Sequence, residues 1–293
     1  MAEKYTVVDY VDTLTGEVYP TTRIIARMDY VPDNYKDIRK SNNYMGTELG
    51  NYFHLMYKEL NDMELEDEMI VRFLRLAANY MHYDNHVMTG LTRRKRVKGT
   101  VEELMKILNL SKGATSKTIN YLIDKELVYL NEHKEILLNK QLVNRGKLEK
   151  ALLKRNKQDK DIMTRVYFNG FRQLYDGTKP TQHKNLNVFI KILPFINVHH
   201  NVNCINPLEE DITKVKPILW TEICALIGIS SESSIKRIKR LIWNLEIDDM
   251  PCVGEFSFKC GKCIVVNPAI YYKGNQQERL VGVVNLFKIQ KTA

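Results

Sequence analysis

The sequence predicts a mainly α-helical α+β fold with small β-hairpins, arranged as two tandem winged helix-turn-helix domains. The first observation behind this prediction is a repeat, in which residues 101–123 align without a gap with residues 220–242. The identical pairs include Glu103 and Glu222, Ser111 and Ser230, Lys117 and Lys236, and Leu122 and Leu241. Residues 136–148 also align with residues 264–276. Similarity over this length indicates two copies of one supersecondary unit.

The second observation is that each copy has the residue pattern of a helix-turn-helix. Apolar residues at helical spacing end at Asn109 in the first copy and at Gly228 in the second. Asparagine and glycine best tolerate the left-handed backbone conformation that follows a helix. Ser111 and Ser230 come next, and each is a candidate N-cap whose hydroxyl accepts a hydrogen bond from a free helix amide.

The third observation is a hairpin pattern after each helix-turn-helix. Two short apolar runs surround the polar residues 131–134, and a longer hairpin over residues 252–266 turns near Gly261. Asn139 and Asn267 follow the second strand of each hairpin, and we predict that they end it by bonding local backbone, as asparagine does in turns.

The remaining segments complete the predicted domain organisation. Helical spacing predicts further helices over residues 53–60, 161–176 and 185–196, and a short strand is expected around residues 86–88. The predicted segments are an N-terminal β-hairpin and loop (1–50), a first domain (51–146), a charged linker helix (147–160), a second domain (161–276) and a C-terminal tail (277–293). The amphipathic tail is expected to pack on a domain or on a partner.

The composition is that of an ordinary globular protein. Of 293 residues, 44% are hydrophobic and 27% are charged, and this length allows two domains with separate cores. No apolar run approaches the roughly 20 residues that span a bilayer. The N-terminus lacks an apolar signal core, so we expect a cytoplasmic protein. Five cysteines in such a chain favour reduced thiols over a disulfide framework.

The charge of the chain points to a polyanionic partner. The net charge is +9 and the pI is about 9.1, and a basic protein attracts phosphate groups. The basic residues are concentrated just before the first helix-turn-helix, between the two copies and inside the last helix of the second copy. These clusters span Arg93–Lys98, Lys147–Lys160 and Lys236–Arg240.

We predict that double-stranded DNA contacts the outward faces of the second helices, the basic loop and the hairpin tips. Ile119 and Ile123 in the first copy, and Ile238 and Ile242 in the second, share the faces that should pack inward. The predicted contacts are Arg93, Arg94, Lys95, Arg96, Lys112, Thr115, Ser116, Lys117, Asn120, Tyr121, Lys134, Ser231, Ser233, Ser234, Lys236, Arg237, Lys239, Arg240 and Lys262. Lysine and arginine bind phosphates and guanine, and asparagine suits adenine. The alternative is that these are only solvated faces.

Metal binding and catalysis receive little support from the residue patterns. Cys260 and Cys263 have the spacing of half a zinc site, and Cys252 could approach them across the hairpin. Ordinary strand thiols are the favoured alternative. The histidine pairs lack the spacing of DNA-nicking enzymes, and no glycine-rich phosphate loop precedes a Lys-Ser or Lys-Thr pair. We therefore expect a protein that is not an enzyme and uses no cofactor.

The end of the second copy, IVVNPAIYYKGN, resembles the strand, Asn-Pro, aromatic and Lys-Gly ending of RepL-type replication proteins from Gram-positive plasmids and phages. The tandem arrangement resembles the two-winged-helix replication initiators of iteron plasmids. In the first copy, Lys140 replaces Pro268 and Asn144 replaces Tyr272, so that copy departs from the signature. These resemblances imply sequence-specific binding at a replication origin and recruitment of host replication proteins.

The leading interpretation is therefore a DNA-binding protein that initiates replication of a plasmid or phage. A transcriptional regulator would use the same surfaces, and a protein-interaction scaffold would use the same folds for other partners. The expected partners are double-stranded DNA, host replication proteins and, in a homodimer, a second copy of the chain. No membrane partner is expected.

Overall fold

Short strands and helices alternate along both repeats. The computed structural model describes residues 10–11, 18–19, 49–89, 95–145, 163–274 and 276–292. The strands are β1 (Tyr10–Val11), β2 (Val18–Tyr19), β3 (Tyr52–Leu55), β4 (Met88–Thr89), β5 (Lys95–Arg96), β6 (Val128–Leu130), β7 (Ile136–Leu138), β8 (Val143–Asn144), β9 (Thr164–Tyr167), β10 (Glu246–Ile247), β11 (Met250–Pro251), β12 (Val253–Phe258), β13 (Gly261–Val266) and β14 (Tyr271–Tyr272). The α-helices are α1 (Tyr57–Asp62), α2 (Asp67–Ala77), α3 (Val101–Leu108), α4 (Lys112–Asp124), α5 (Phe168–Asp176), α6 (Val188–Lys191), α7 (Trp220–Leu226), α8 (Glu232–Trp243) and α9 (Gln277–Thr292). The 3₁₀ segments Pro180–Asn187 and Leu193–Phe195 flank α6.

A four-stranded antiparallel sheet joins the two repeats. Its strand order is β14–β9–β3–β8, so two strands come from each repeat. β3 pairs with β9 in the middle, where His54 lies opposite Arg165. Each outer strand pairs with the inner strand of its own repeat. The inner strands are consequently enclosed, and Phe53, Leu55 and Val166 are fully buried.

One hydrophobic core is continuous through both repeats. It contains Phe73 and Ile119 from the first repeat together with Phe189 and Ile238 from the second. A buried hydrogen bond also crosses between the repeats, because the Tyr175 hydroxyl of α5 donates to the carbonyl oxygen at the end of α3 over 2.8 Å. The repeats therefore share apolar packing as well as a sheet.

The C-terminal helix α9 packs against the second repeat. Val283 and Phe287 are buried in a cluster with Val265 of β13, and Leu280 is buried beside Tyr272 of β14. The C-terminal tail therefore packs on the second repeat of the same chain. Across the described residues, no helix combines the length and the apolar character needed to cross a membrane.

The prediction of two tandem winged helix-turn-helix domains is wrong. The chain is an α+β fold that includes a four-stranded antiparallel sheet, and both repeats contribute strands to it. Sequence reasoning missed β3 and β9 because the apolar residues of segments 53–60 and 161–176 fit helical spacing. These strands have four residues each and are buried on both faces at most positions. A short buried strand shows no alternation, so periodicity alone cannot distinguish it from a helix. The domain boundaries drawn from the sequence stay predictions.

The two predicted helix pairs, α3–α4 and α7–α8, are present within this fold. Asn109 follows α3 with a left-handed φ of 51°, and Gly228 follows α7 with a φ of 81°. The Ser111 hydroxyl accepts from the Ala114 amide over 3.5 Å, as expected of an N-cap. These features of the pattern are confirmed, although the domains built around them are not.

The cap predicted at Ser230 is wrong. Helix α8 begins at Glu232 and its N-cap residue is Ser231. The Ser231 hydroxyl lies 2.8 Å from that of Ser233 and does not cap the helix. The physical reason is a longer turn, which spans residues 227–231 in the second copy against 109–111 in the first.

The other local predictions have mixed outcomes. Hairpins β6–β7 and β12–β13 form at the predicted places, and β1 pairs with β2 within the predicted N-terminal hairpin. The helix predicted over residues 185–196 is wrong, because α6 has four residues with 3₁₀ turns on both sides, and Pro194 cannot continue an α-helix. The predicted linker helix, 147–160, lies outside the described residues.

Candidate nucleic-acid interface

Helix α8 presents the densest group of basic side chains in the second repeat. Ile238 and Ile242 are buried on its inner face. The Trp220 and Trp243 rings meet edge to face with centroids 5.0 Å apart, and the Trp220 indole donates to the Ile235 carbonyl oxygen over 3.4 Å. These contacts fix the rotation of α8, so its cationic face is turned away from the core.

Two carboxylates pair with three of the predicted cations. Lys236 pairs with Glu232 one turn earlier on α8, at 2.6 Å. Lys239 of α8 and Lys262 of the hairpin both pair with Glu255, at 3.2 and 2.7 Å. Hydrogen bonds from Lys262 and Lys239 lower the pKa of Glu255. The hairpin β12–β13 is thereby tied to α8, and the three lysines with their two carboxylate partners leave a net charge of one positive unit.

Arg237 and Arg240 are exposed and form no ion pair within the part of the chain that the structure describes. Both line a cavity of about 430 Å³ between α8 and the 3₁₀ segment 180–187. Lys184 also lines it, and its remaining walls are Gly177, Thr181, Gln182, Asn185, Leu241, Asn244 and Leu245. Among the described residues, three cations and no carboxylate therefore line this opening, and we call it the basic groove.

A second cavity, of about 350 Å³, extends the basic groove towards the start of α8. Arg237 and Lys184 line it as well, together with Ser231 and Ser234. Its carboxylate is Asp67 of α2, which pairs with Lys191 at 2.8 Å and accepts a hydrogen bond from Asn187 over 2.9 Å. Because Asp67 is engaged by these contacts, Lys184, Arg237 and the serine hydroxyls are the polar groups left to an anion, beside apolar walls that include Val188 and Ile227.

Sequence reasoning missed Lys184 as a candidate contact. It is an isolated basic residue in the polar stretch Pro180–Asn187, and it belongs to none of the charge clusters. Only the packing of this segment beside α8 brings Lys184 to Arg237. The groove is a product of tertiary structure, and no spacing rule along the chain would have found it.

The corresponding face of the first repeat is more polar. Lys112, Lys117 and Asn120 of α4 are exposed, and Ser116 is half-buried. Gly113 lies in the first turn of α4, two residues after the Ser111 cap. A Cβ added there would meet nothing within 4 Å. This face can therefore approach a flat surface closely.

Two predicted contacts on α4 point elsewhere. Thr115 is fully buried, and its hydroxyl donates to the Ser111 carbonyl oxygen over 2.9 Å. The Tyr121 hydroxyl accepts from the Glu66 amide, 3.1 Å away at the start of α2. The buried Thr115 side chain cannot reach DNA, so that prediction is wrong in geometry. Tyr121 is half-buried with its hydroxyl engaged, and its assignment as a DNA contact stays a prediction. Conversely, Ile123 was predicted to pack inward and is 37% exposed.

The basic loop before α3 is only partly available to a ligand. Arg96 donates to Asp84 over 3.0 Å and to Glu135 over 3.1 Å, so it links the loop to hairpin β6–β7. His82 and His86 lie 2.8 and 3.0 Å from the same Asp84 oxygen. Burial alone would raise the pKa of Asp84, but the hydrogen bonds from these histidines hold it well below its usual range. Arg96 thus serves the structure of the hairpin.

The other loop and tip residues differ in availability. Arg93 and Arg94 lie outside the described residues, and Lys95 is exposed. Lys134 occupies the tip of β6–β7 with a positive φ of 58°, and its carbonyl oxygen accepts from the Gly99 amide over 2.7 Å. The backbone of Lys134 is fixed by this contact while its side chain is exposed.

The cysteines do not assemble as a zinc site. The sulfur atoms of Cys260 and Cys263 are 3.5 Å apart, but Cys252 is buried in the main core, whereas Cys263 belongs to the cluster beside α9. Burial raises the pKa of the Cys252 and Cys263 thiols well above their usual range. Among the described residues, no group of three or more His, Cys, Asp or Glu side chains is arranged to hold a metal ion.

Asn139 and Asn267 make the local backbone bonds that the sequence predicts. The Asn139 side-chain amide donates to the Glu126 carbonyl oxygen, and its oxygen accepts from the Gln141 amide. Asn267 does the same with Pro251 and Ala269. These residues terminate the hairpins and their side chains are occupied.

Within the described ranges, the basic groove beside α8 and the polar face on α4 are suited to a phosphate-bearing ligand. Both surfaces offer hydrogen-bond donors for phosphate oxygens or base edges. Comparisons with protein-family models, with curated proteins and with solved structures found no match to this chain.

Proposed function

We propose that this protein binds double-stranded DNA through the basic groove and the exposed faces of α8 and α4. The observation that carries the proposal is the convergence of Lys184, Arg237 and Arg240 on one opening, whose larger cavity is lined by no carboxylate from the part of the chain that the structure describes. Three cations lining one opening repel each other, and an anionic ligand bound there would relieve that repulsion. A phosphodiester backbone supplies repeated anions along a groove.

The two faces suit different parts of a DNA contact. Arginine and lysine side chains in the groove supply phosphate contacts, which give affinity without sequence information. Asn120 on α4 is exposed and can form a bidentate contact with adenine. Ser231 and Ser234 at the start of α8 can reach either a phosphate or a base edge. The second repeat would therefore supply most of the affinity and the first repeat most of the sequence preference.

Replication initiation at a plasmid or phage origin is the proposed task. Its support is the resemblance of residues 264–276 to RepL-type proteins. Several residues of that signature have structural roles here, since Asn267 ends the hairpin and Tyr271 and Tyr272 form strand β14. If the bound site lies at a promoter rather than at an origin, transcription regulation is favoured. If the protein does not bind DNA at all, a protein-interaction scaffold is favoured. We also propose the cytoplasm as the location.

The proposal is tested by measuring Kd for a duplex of about 30 base pairs across a series of salt concentrations. Log Kd should change linearly with log salt, with a slope of about 0.9 for each phosphate contacted. The variant with Lys184→Ala and Arg237→Ala should weaken binding to every sequence and reduce that slope by about two. Lys140→Ala with Lys216→Ala changes the net charge equally at exposed sites away from the groove.

The control pair separates a groove contact from a general charge effect. It should leave the slope within experimental error of the wild type. Equal losses from both pairs would contradict a specific groove. Absence of binding at about 50 mM salt, where phosphate contacts are strongest in such tests, would refute DNA binding itself.

A further inference from the structure

The central sheet relates the two repeats by an internal two-fold axis. The Met56 amide donates to the Leu142 carbonyl oxygen over 2.8 Å, and the Tyr167 amide donates to the Ile270 carbonyl oxygen over 3.0 Å. Met56 follows β3 and Tyr167 ends β9, and each bonds the residue just before the outer strand of its own repeat. Met56 and Tyr167 are therefore equivalent positions.

Equivalent positions then face each other at the centre of the sheet. Two residues before Met56 and Tyr167 lie His54 and Arg165, and these two are directly paired between β3 and β9. Two antiparallel strands that pair at equivalent residues are related by a two-fold axis through that pair, as at an isologous dimer interface. The sheet order β14–β9–β3–β8 has the same symmetry, because inner strands pair with each other and outer strands with inner ones.

Buried asparagines show that the symmetry extends beyond the sheet. Asn85 donates from its side-chain amide to the Leu138 and Val143 carbonyl oxygens, over 3.2 and 2.7 Å. Asn201 donates to the Val266 and Tyr271 carbonyl oxygens over 2.9 and 3.1 Å. Both asparagines have a positive φ, of 66° and 54°. In each repeat this residue joins the end of the hairpin that follows the helix pair to the outer strand of the sheet.

The helix pairs lie at equivalent places between these landmarks. In each repeat the order is inner strand, buried asparagine, helix pair, hairpin, strand-ending asparagine and outer strand. Segments of the two repeats also pack on each other, since Asp67 of α2 contacts Lys191 of α6. The repeats follow the same path from a shared axis, so α4 and α8 occupy corresponding places in the two repeats.

We infer that one chain binds a single DNA site composed of two half-sites in inverted orientation, and this inference rests on the proposed DNA binding. Two helices related by a two-fold axis match DNA half-sites related by the two-fold axis of the duplex. Direct repeats have no such axis and would match only one helix at a time. The half-sites are unequal in sequence, because Lys112, Lys117 and Asn120 of α4 differ from the cations of α8.

The experiment begins with selection of bound duplexes from a random pool by the full chain. The selected site is then rebuilt with its half-sites inverted, with one half-site reversed to give a direct arrangement, and with one half-site scrambled. Several spacer lengths are included, and mass in solution gives the number of chains on each duplex. The expected result is one chain on the inverted site, with at least tenfold weaker binding to the direct site, close to that of the single half-site.

Variants assign each half-site to its helix. Arg237→Ala with Arg240→Ala should reduce backbone protection over one half-site, and Lys117→Ala with Asn120→Ala should reduce it over the other. Equal affinity for direct and inverted arrangements, or a requirement for two chains to protect the full site, would overturn the inference while leaving DNA binding intact. A chain that binds no duplex in a salt-dependent way would overturn both proposals.

Discussion

Replacing Asn201 by alanine is expected to destabilise the protein by about 2–4 kcal/mol. The side chain of Asn201 is fully buried, and its amide bridges β13 to β14 through the Val266 and Tyr271 carbonyl oxygens. Alanine removes both bonds and takes this donor from the carbonyl oxygens of Val266 and Tyr271, two fully buried residues. The substitution therefore loosens the attachment of the hairpin to the central sheet.

The magnitude has three parts. Two lost hydrogen bonds contribute about 1–1.5 kcal/mol each. The φ of Asn201 is 54°, and a left-handed residue with a Cβ but no amide costs about 1–2 kcal/mol. The side-chain oxygen of Asn201 has no hydrogen-bond partner among the described residues, so its removal recovers about 1 kcal/mol of desolvation. The net loss is accordingly about 2–4 kcal/mol.

Urea unfolding monitored by circular dichroism measures this loss, with Asn120→Ala as an exposed control expected to stay within about 0.5 kcal/mol of the wild type. Asn201→Gly should be about 1 kcal/mol less damaging than alanine, because glycine accepts the positive φ. Asn85→Ala should behave like Asn201→Ala, since its bonds are equivalent. A loss below 1 kcal/mol, or a glycine variant less stable than the alanine variant, would refute this reasoning.

Two further predictions concern packing and pH. Gly170→Ala should cost about 1–3 kcal/mol in urea unfolding, because its Cβ would collide with the backbone of Ala269. Gly113 lies in open space on α4, so Gly113→Ala should instead stabilise the protein by up to about 1 kcal/mol. Equal effects of the two substitutions on the free energy of unfolding would contradict the packing at Gly170. Burial lowers the pKa of His54 and His200 to about 4. Between pH 6.5 and 4 the unfolded chain therefore binds protons that the folded chain does not, and the free energy of unfolding decreases as the pH falls. The expected loss from pH 7 to pH 5 is about 2 kcal/mol per histidine, and His200→Gln, which can still donate to the Glu210 carbonyl oxygen, should reduce the pH dependence by that amount; an unchanged pH dependence would contradict it.

The parts of the fold that could be predicted from the sequence are those with local causes. Asn109 and Gly228 stop helices because their backbone conformations are left-handed, and Ser111 caps α4 through a bond three residues away. The hairpins turn where polar residues interrupt apolar runs. Each of these features depends on residues close in the chain, so the sequence pattern contains the necessary information.

The central sheet could not be predicted because its causes are not local. β3 pairs with β9 across more than a hundred residues, and β8 and β14 have only two residues each. Such short strands are defined by their neighbours rather than by their own periodicity. The same limit applies to the candidate site, where Lys184 joins Arg237 only after α8 has packed beside the 3₁₀ segment. Conversely, Thr115 matched the outward spacing yet turns its hydroxyl to the Ser111 carbonyl oxygen.

The two repeats differ most where they are exposed. Buried or turn-forming positions keep both residue and contact, as Asn85 and Asn201 do in the interior and Asn139 and Asn267 do at the hairpin ends. The helix faces have changed, since the repeats offer Lys117 and Asn120 on one side and a cationic groove on the other. The shared internal contacts maintain the two-fold relation between the repeats. Because their exposed helix faces differ, the two repeats are not equivalent in the side chains that they offer to a ligand. On the proposed function, this combination would position two helices on one duplex. It would also fix the direction in which the chain lies on its site, because exchanging the half-sites would place the cationic groove over the half-site that suits Asn120.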